Sequence, residues 1–209
     1  MPLPRFEKLE ESRKSSILAA AAEEFGERGF DGASYNRIIS RAGISKGAMY
    51  YYFADKDDLY VTVLRTALSV WFAEVLAPFE ASDAASFWRE CETVYARSLR
   101  FMMRDPKNAA LCLSITAART RMEGHPVLLE LHTHMAQFTQ GLIARGRELG
   151  AVRDDLPADL LTYAALSLME AGDRWLAERW ADLGEEDVET TAKMMVDLFR
   201  RIGDPEGER

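Results

Sequence analysis

Cysteine and histidine are scarce in this 209-residue chain, which has two of the first and three of the second. The cysteines, Cys91 and Cys112, show no CxxC spacing, so no disulfide framework or structural zinc site follows from them. They read as buried thiols of a cytosolic protein. His132 and His134 stand two apart, and on a helix they point away from each other. Glu130 and His134, at i and i+4, form an ordinary surface pair more readily than a metal site. The chain has no GxGxxG or GxxxxGK[ST] phosphate loop and no GxSxG elbow. No enzyme, metal or cofactor is therefore expected. No apolar run approaches the roughly 20 residues of a membrane span, and MPLPRFEKLEE lacks the apolar segment of a secretion signal. The expectation is a soluble, cytoplasmic protein with no membrane partner. Strand patterns, repeats and low-complexity segments are missing too.

What is there is helical periodicity. With 48% hydrophobic residues the chain can bury a core, and its length suits one or two domains. The net charge of −8 argues against a general nucleic-acid binder. The charge is unevenly placed, however. Between Ser34 and Lys56 the cations Arg37, Arg41, Lys46 and Lys56 face the single acid Asp55.

That same stretch, SYNRIISRAGISKGAMYYYFADK, has the organisation of a helix-turn-helix. Ser34 suits the N-cap of a first short helix, from Tyr35 to Ala42, and Ser45 the N-cap of a second, from Lys46 to Phe53. Ile38, Ile39 and Ala42 give the first helix a buried side. Gly43 suits an exit at positive φ, and Ile44 can plug the corner. The second helix begins with Lys46, Gly47 and Ala48, small or cationic residues that let it approach a DNA groove. Met49 and Phe53, at i and i+4, can both face the core. Tyr50, Tyr51 and Tyr52 are then left at or near the surface, with hydroxyls for phosphates and rings for thymine methyls.

Around this core the chain reads as an all-α protein. Residues 1–11, with Pro2 and Pro4, are expected to be a frayed arm; Arg5, Lys8, Arg13 and Lys14, in or near it, could touch the backbone of DNA, and a simply solvated arm is an equal alternative. A helix from Ser12 to about Arg28 follows, ended by Gly29 and Gly32. Asp55 caps another from Lys56 to Pro78; Lys56 opposes its dipole, which suggests a nearby phosphate. Further helices are expected over 84–104, 107–122, 127–149, 158–181 and 186–202, with a disordered tail from Gly203.

Residues 12–62 resemble the DNA-binding domain of the TetR/AcrR family of bacterial transcriptional regulators. The resemblance rests on Phe25, Gly29, Phe30, Ser34 and Ile38, on Ala42 to Gly47 across the turn, and on Met49, Tyr50, Tyr52, Phe53, Lys56 and Leu59. Ala48 departs from a frequent Thr, and Tyr52 from a common His. The resemblance implies a three-helix head over residues 1–56 and a larger helical ligand-binding and dimerisation domain over 57–209. Ser34, Arg37, Ser45, Lys46, Gly47, Tyr50, Tyr51, Tyr52 and Lys56 are the expected DNA-binding residues. Arg37, Lys46, Tyr50, Tyr52 and Lys56 would mainly hold phosphates, while Lys46, Gly47 and Tyr51 would approach base edges.

The family also implies a small-molecule cavity and a dimer. Trp88, Tyr95, Met102, Met135, Phe138 and Met169 are the expected lining. Stripes of this kind are core more often than cavity, and each residue is weighed as core first. The last two long helices carry Leu166, Met169, Trp175, Met194, Met195, Leu198 and Phe199 and are the expected dimer surface. The implied function is a homodimeric repressor on a near-palindromic operator, its affinity altered by a small, largely apolar effector. The alternative is a helical small-molecule-binding or interaction protein whose DNA head no longer works.

Overall fold

The computed structural model of the chain describes residues 2–75, 79–105, 109 and 126–205. Every regular element among them is helical. The helices are α1 (Pro4–Glu7), α2 (Glu11–Gly32), α3 (Tyr35–Arg41), α4 (Lys46–Tyr52), α5 (Lys56–Val75), α6 (Ala84–Arg104), α7 (Pro126–Glu148), α8 (Ala158–Arg179) and α9 (Val188–Gly203). Two short 3-10 turns, Trp180–Asp182 and Glu185–Asp187, lie between α8 and α9. Apart from residue 109, the helix expected over 107–122 lies outside the described residues, as do Cys112, the end of the chain from 206 and the expected end of α5 at Pro78.

The chain divides into two compact units. The first runs to Trp71 and takes in Arg104 and Asp105; the second holds Phe72–Met103 and the described residues from 126 onward. The boundary thus falls within α5, not at residue 56. The cause is visible in the first 16 residues of that helix, where Leu59, Tyr60 and Leu64 are fully buried.

In the first unit α2 is the brace. Ile17, Ala20, Ala21, Glu24 and Phe25 recur at helical spacing and are all buried. At Gly29 the backbone leaves helical geometry, with φ 65° and ψ 176°, and the helix resumes to Gly32. Phe25 meets Tyr60 edge-on at 4.8 Å, and Ile38, Met49 and Phe53 complete this core with no exposure.

The N-terminal arm is not frayed. Its residues form α1, and Phe6 is buried with its ring 4.7 Å from that of Phe53. The Leu3 N–H donates to the Tyr52 carbonyl at 2.9 Å. A lone aromatic in a charged segment has found an apolar surface, and Pro4 at the start of the helix presets φ.

The second unit has two apolar clusters. One gathers Ala81, Phe87, Ile143, Ala151, Val152 and Leu161. Gly146 belongs there because a Cβ would collide with Val152 and Phe87, and Gly150, at φ 67°, ends α7. The other gathers Ala96, Leu99, Leu176, Val188, Ala192 and Met195. Arg100 of α6 pairs with Glu185 and Glu189 across this second cluster.

Candidate nucleic-acid interface

α3 and α4 start as the sequence suggested. The Ser34 Oγ accepts from the Arg37 N–H at 3.4 Å, and the Ser45 Oγ accepts from the Ala48 N–H at 3.1 Å. Gly43 turns the chain between them at φ 61°. The Arg13 guanidinium, at 3.3 Å, donates to the Gly43 carbonyl and props the turn.

The inner side of α4 is Met49, continued by Phe53, both fully buried. The outer side carries Lys46, Gly47, Tyr50 and Tyr51, all exposed; Tyr50 and Tyr51 are each 49% exposed. The Tyr35 ring stands edge-on to Tyr50 at 5.2 Å. Tyr52 is half-buried instead, its ring 6.2 Å from Phe6. Gly47 has room to spare: an added Cβ would meet only the Ser45 Oγ, at 3.9 Å, an ordinary contact. Local packing gives no reason for glycine at this position.

The cations of the head divide into two kinds. Arg37 is engaged inside the fold: its guanidinium holds the Glu24 carboxylate at 2.6 Å and 2.7 Å and the Gly32 carbonyl at 2.9 Å. Glu24 is fully buried, and the Ser34 N–H donates to the same oxygen at 2.9 Å. The Arg37 hydrogen bond pulls the Glu24 carboxyl below the usual carboxylate range, against the opposing effect of burial. Arg41 is tied to Glu27 at 3.0 Å and lies within 4 Å of Glu23 and Glu24.

Lys56 is engaged as well. Its ammonium donates to the carbonyls of Phe30 and Ala33, at 2.8 Å and 3.2 Å, and sits 4.5 Å above the Phe30 ring. Arg37 and Lys56, expected on phosphates, are thus both engaged with partners of the head itself. Lys56 stands against its own helix dipole because it satisfies carbonyls at the end of α2. Lys46 differs: it is exposed, with no hydrogen bond or ion pair among the described residues.

A capped pair of seven-residue helices on an all-helical scaffold, the second with an exposed outer face, has the arrangement of a helix-turn-helix. Residues 17–63 match the family described as bacterial regulatory proteins, tetR family. The chain is 41% identical over 66 residues to the transcriptional regulator RutR of Escherichia coli (strain K12), a match that covers 32% of this chain but only 31% of RutR. It is 29% identical over 191 residues to the transcriptional repressor AcnR of Corynebacterium diphtheriae, covering 86% of this chain and 93% of that protein. Its fold is similar to the crystal structure of FadR from Bacillus subtilis in complex with stearoyl-CoA, with a TM-score of 0.73, 15% identity, and coverage of 90% and 97% of the two chains. Residues 17–63 thus carry the tetR-family match, and the relative matched over most of both chains is a transcriptional repressor.

Of the six expected lining residues, Trp88 and Tyr95 pack against different clusters. Trp88 packs against the cluster around Phe87 and Val152. Tyr95 packs against the one around Leu99 and Met195, where its hydroxyl lies 3.9 Å from the position of a Cβ on Gly172. Met102, Met135, Phe138 and Met169 are half-buried. Burial pushes the Cys91 thiol up to about 12, so it is a neutral apolar side chain at physiological pH. His134 meets the Phe72 ring edge-on at 5.8 Å. Among the described residues no group of three or more His, Cys, Asp or Glu side chains could hold a metal, and no helix is long and apolar enough to cross a membrane.

Two features escaped the sequence reading. Glu24 was readable: it stands seven residues after Ile17, on the buried stripe that also holds Ala20, Ala21 and Phe25. A carboxylate on that stripe demands a cation, and Arg37 supplies it. The docking of α1 had a fainter signal, Phe6 alone among charged residues.

Proposed function

We propose that the protein is a homodimeric repressor whose affinity for a near-palindromic operator changes when a small, largely apolar effector binds the second unit. The observation that carries the DNA reading is the outer face of α4: Lys46, Gly47, Tyr50 and Tyr51 are all exposed there, and local packing gives no reason for glycine at position 47. In this reading Lys46, Gly47 and Tyr51 approach base edges, with the backbone at Gly47 allowing close contact. Tyr50 and Tyr52 offer hydroxyls to phosphates. Ser34, Ser45, Arg37 and Lys56 set the positions of the two helices.

Dimerisation is assigned to α8 and α9. Leu160 and Tyr163 on α8, and Met194 and Leu198 on α9, are large apolar residues left exposed in the single chain. A two-fold pair would place two copies of α4 in half-sites one turn of the duplex apart, ~34–36 Å. The effector must bind the two spacings of the heads with different affinity, since equal binding shifts nothing. α5 is the proposed link, as it contributes residues to both units.

Saturable, competitor-resistant retardation of the DNA upstream of the protein's own gene tests this reading. Its absence, with a co-purified small molecule found by native mass spectrometry, would favour the helical ligand-binding protein without a working DNA head; the acidic net charge of −8 supports that alternative.

A further inference from the structure

With Arg37, Arg41 and Lys56 engaged inside the head, the positive charge that meets DNA has to come from elsewhere. We propose that Arg5 supplies part of it: held on the ring of Tyr51, it clamps a backbone phosphate beside the groove that α4 enters. The proposal rests on the DNA-binding reading of α4 and extends its surface to a residue outside the helix-turn-helix.

Two observations and the chemistry of the guanidinium carry it. The Arg5 guanidinium carbon lies 4.1 Å from the centroid of the Tyr51 ring. Tyr51 follows Gly47 by four residues, so Arg5 sits one turn along the face that begins with Lys46 and Gly47. A guanidinium laid over a ring keeps its N–H edge for a forked bond to phosphate oxygens, which is why arginine suits this double task.

The position is fixed by anchors on either side in sequence. The Leu3 N–H is bonded to the Tyr52 carbonyl, and Phe6 is buried against Phe53. Both anchors grip the C-terminal end of α4. Recognition helices meet base edges chiefly with their N-terminal residues; Arg5, anchored outside α4 beside its far end, is placed for the backbone that flanks the base edges Tyr51 approaches.

Arg5 is also chemically available. It is exposed and makes no ion pair among the described residues. The nearest acid on its own helix, Glu7, lies 3.8 Å from Lys14, which also holds Glu11 at 2.9 Å. Lys14 therefore answers the carboxylates that would otherwise compete with a phosphate.

The test uses the full chain and a DNA duplex selected from a randomised library by the wild-type protein, with binding read by fluorescence anisotropy across a range of salt. Arg5→Ala should flatten the dependence of log K on log salt by about 0.9 per head and weaken binding at 0.1 M salt by roughly eightfold per head. Its melting midpoint should match the wild type. Arg5→Lys should keep the slope and lose part of the affinity. In a Tyr51→Ala background Arg5→Ala should do much less, because the platform has gone. Phe6→Ala should reproduce the loss of slope with the charge still present. Wild-type slope and affinity in Arg5→Ala would overturn the proposal and leave the regulator intact, as would a binding loss explained by a lowered melting midpoint. Failure of the wild-type protein to bind any selected duplex would overturn the DNA reading and this proposal together.

Discussion

α3 and α4 are both seven residues long and both begin at a serine cap, yet the fold treats them in opposite ways. The polar side of α3 is turned to account inside the molecule: Arg37 and Arg41 reach back to Glu24 and Glu27 on α2. The polar side of α4 has no such ion pair among the described residues: its exposed tyrosines, Tyr50 and Tyr51, meet the Tyr35 ring and the Arg5 guanidinium. Lys46, Tyr50 and Tyr51 are exposed, and the helix is held by Met49 beneath it, Phe53 behind it and the docked arm at its end. A cation count over the motif therefore misleads. A charge with two internal partners stabilises the head, and a charge with none is available to an operator.

The sharpest way to break this contrast is at Glu24. Glu24→Ala would leave Arg37 and the Ser34 N–H without their partner and should lower stability by about 3 kcal/mol, read as a drop in the urea or thermal midpoint. The same carboxylate gives the contrast a pH dependence. Its folded pKa is below the ordinary value of 4.5, so the unfolded chain binds more protons in the window between the two. Stability from Glu24 is complete above 4.5 and is lost as pH falls through its folded pKa. Glu24→Gln should flatten that acid limb in a series of melts taken from neutral to low pH.

Smaller effects follow from Lys56 and Gly47. Lys56→Ala removes two hydrogen bonds from a charged donor to the end of α2 and should lower stability by about 1 kcal/mol. Gly47→Ala should sharpen the comparison from the other side. Alanine is the better helix former and the added Cβ has space, so the head should gain about 0.5 kcal/mol. DNA binding should nonetheless weaken, since the added methyl holds the backbone off the groove. A variant that melts higher and binds worse is hard to explain by packing alone.

Much of the head was legible in the sequence because its signals are local. Ser34, Gly43 and Ser45 each act on backbone groups within three or four residues, so their spacing alone fixes the two caps and the turn. The roles of Arg37 and Lys56 were not legible, because their partners are 13 and 26 residues away and one of them is a backbone carbonyl. A cation in a motif looks the same whether it faces outward or inward. Phe6 finding Phe53 is likewise a tertiary event that no periodicity announces. In the second unit, periodicity separated buried from exposed residues but not one cluster from another. Trp88 and Tyr95 share a helix face at i and i+7 and still pack into different groups.

The central claim, that the unpartnered cations of the head and not the engaged ones meet DNA, is tested most directly by comparing Lys46→Ala with Lys56→Ala. Both are read by the salt dependence of binding to a selected duplex and by thermal melting. Lys46→Ala should lower the slope of log K against log salt by about 0.9 per head, or about 1.8 for a dimer with both heads on DNA, at an unchanged melting midpoint. Lys56→Ala should do the reverse, melting lower with its slope intact. An equal loss of slope from both substitutions, or none from Lys46→Ala, would contradict the account.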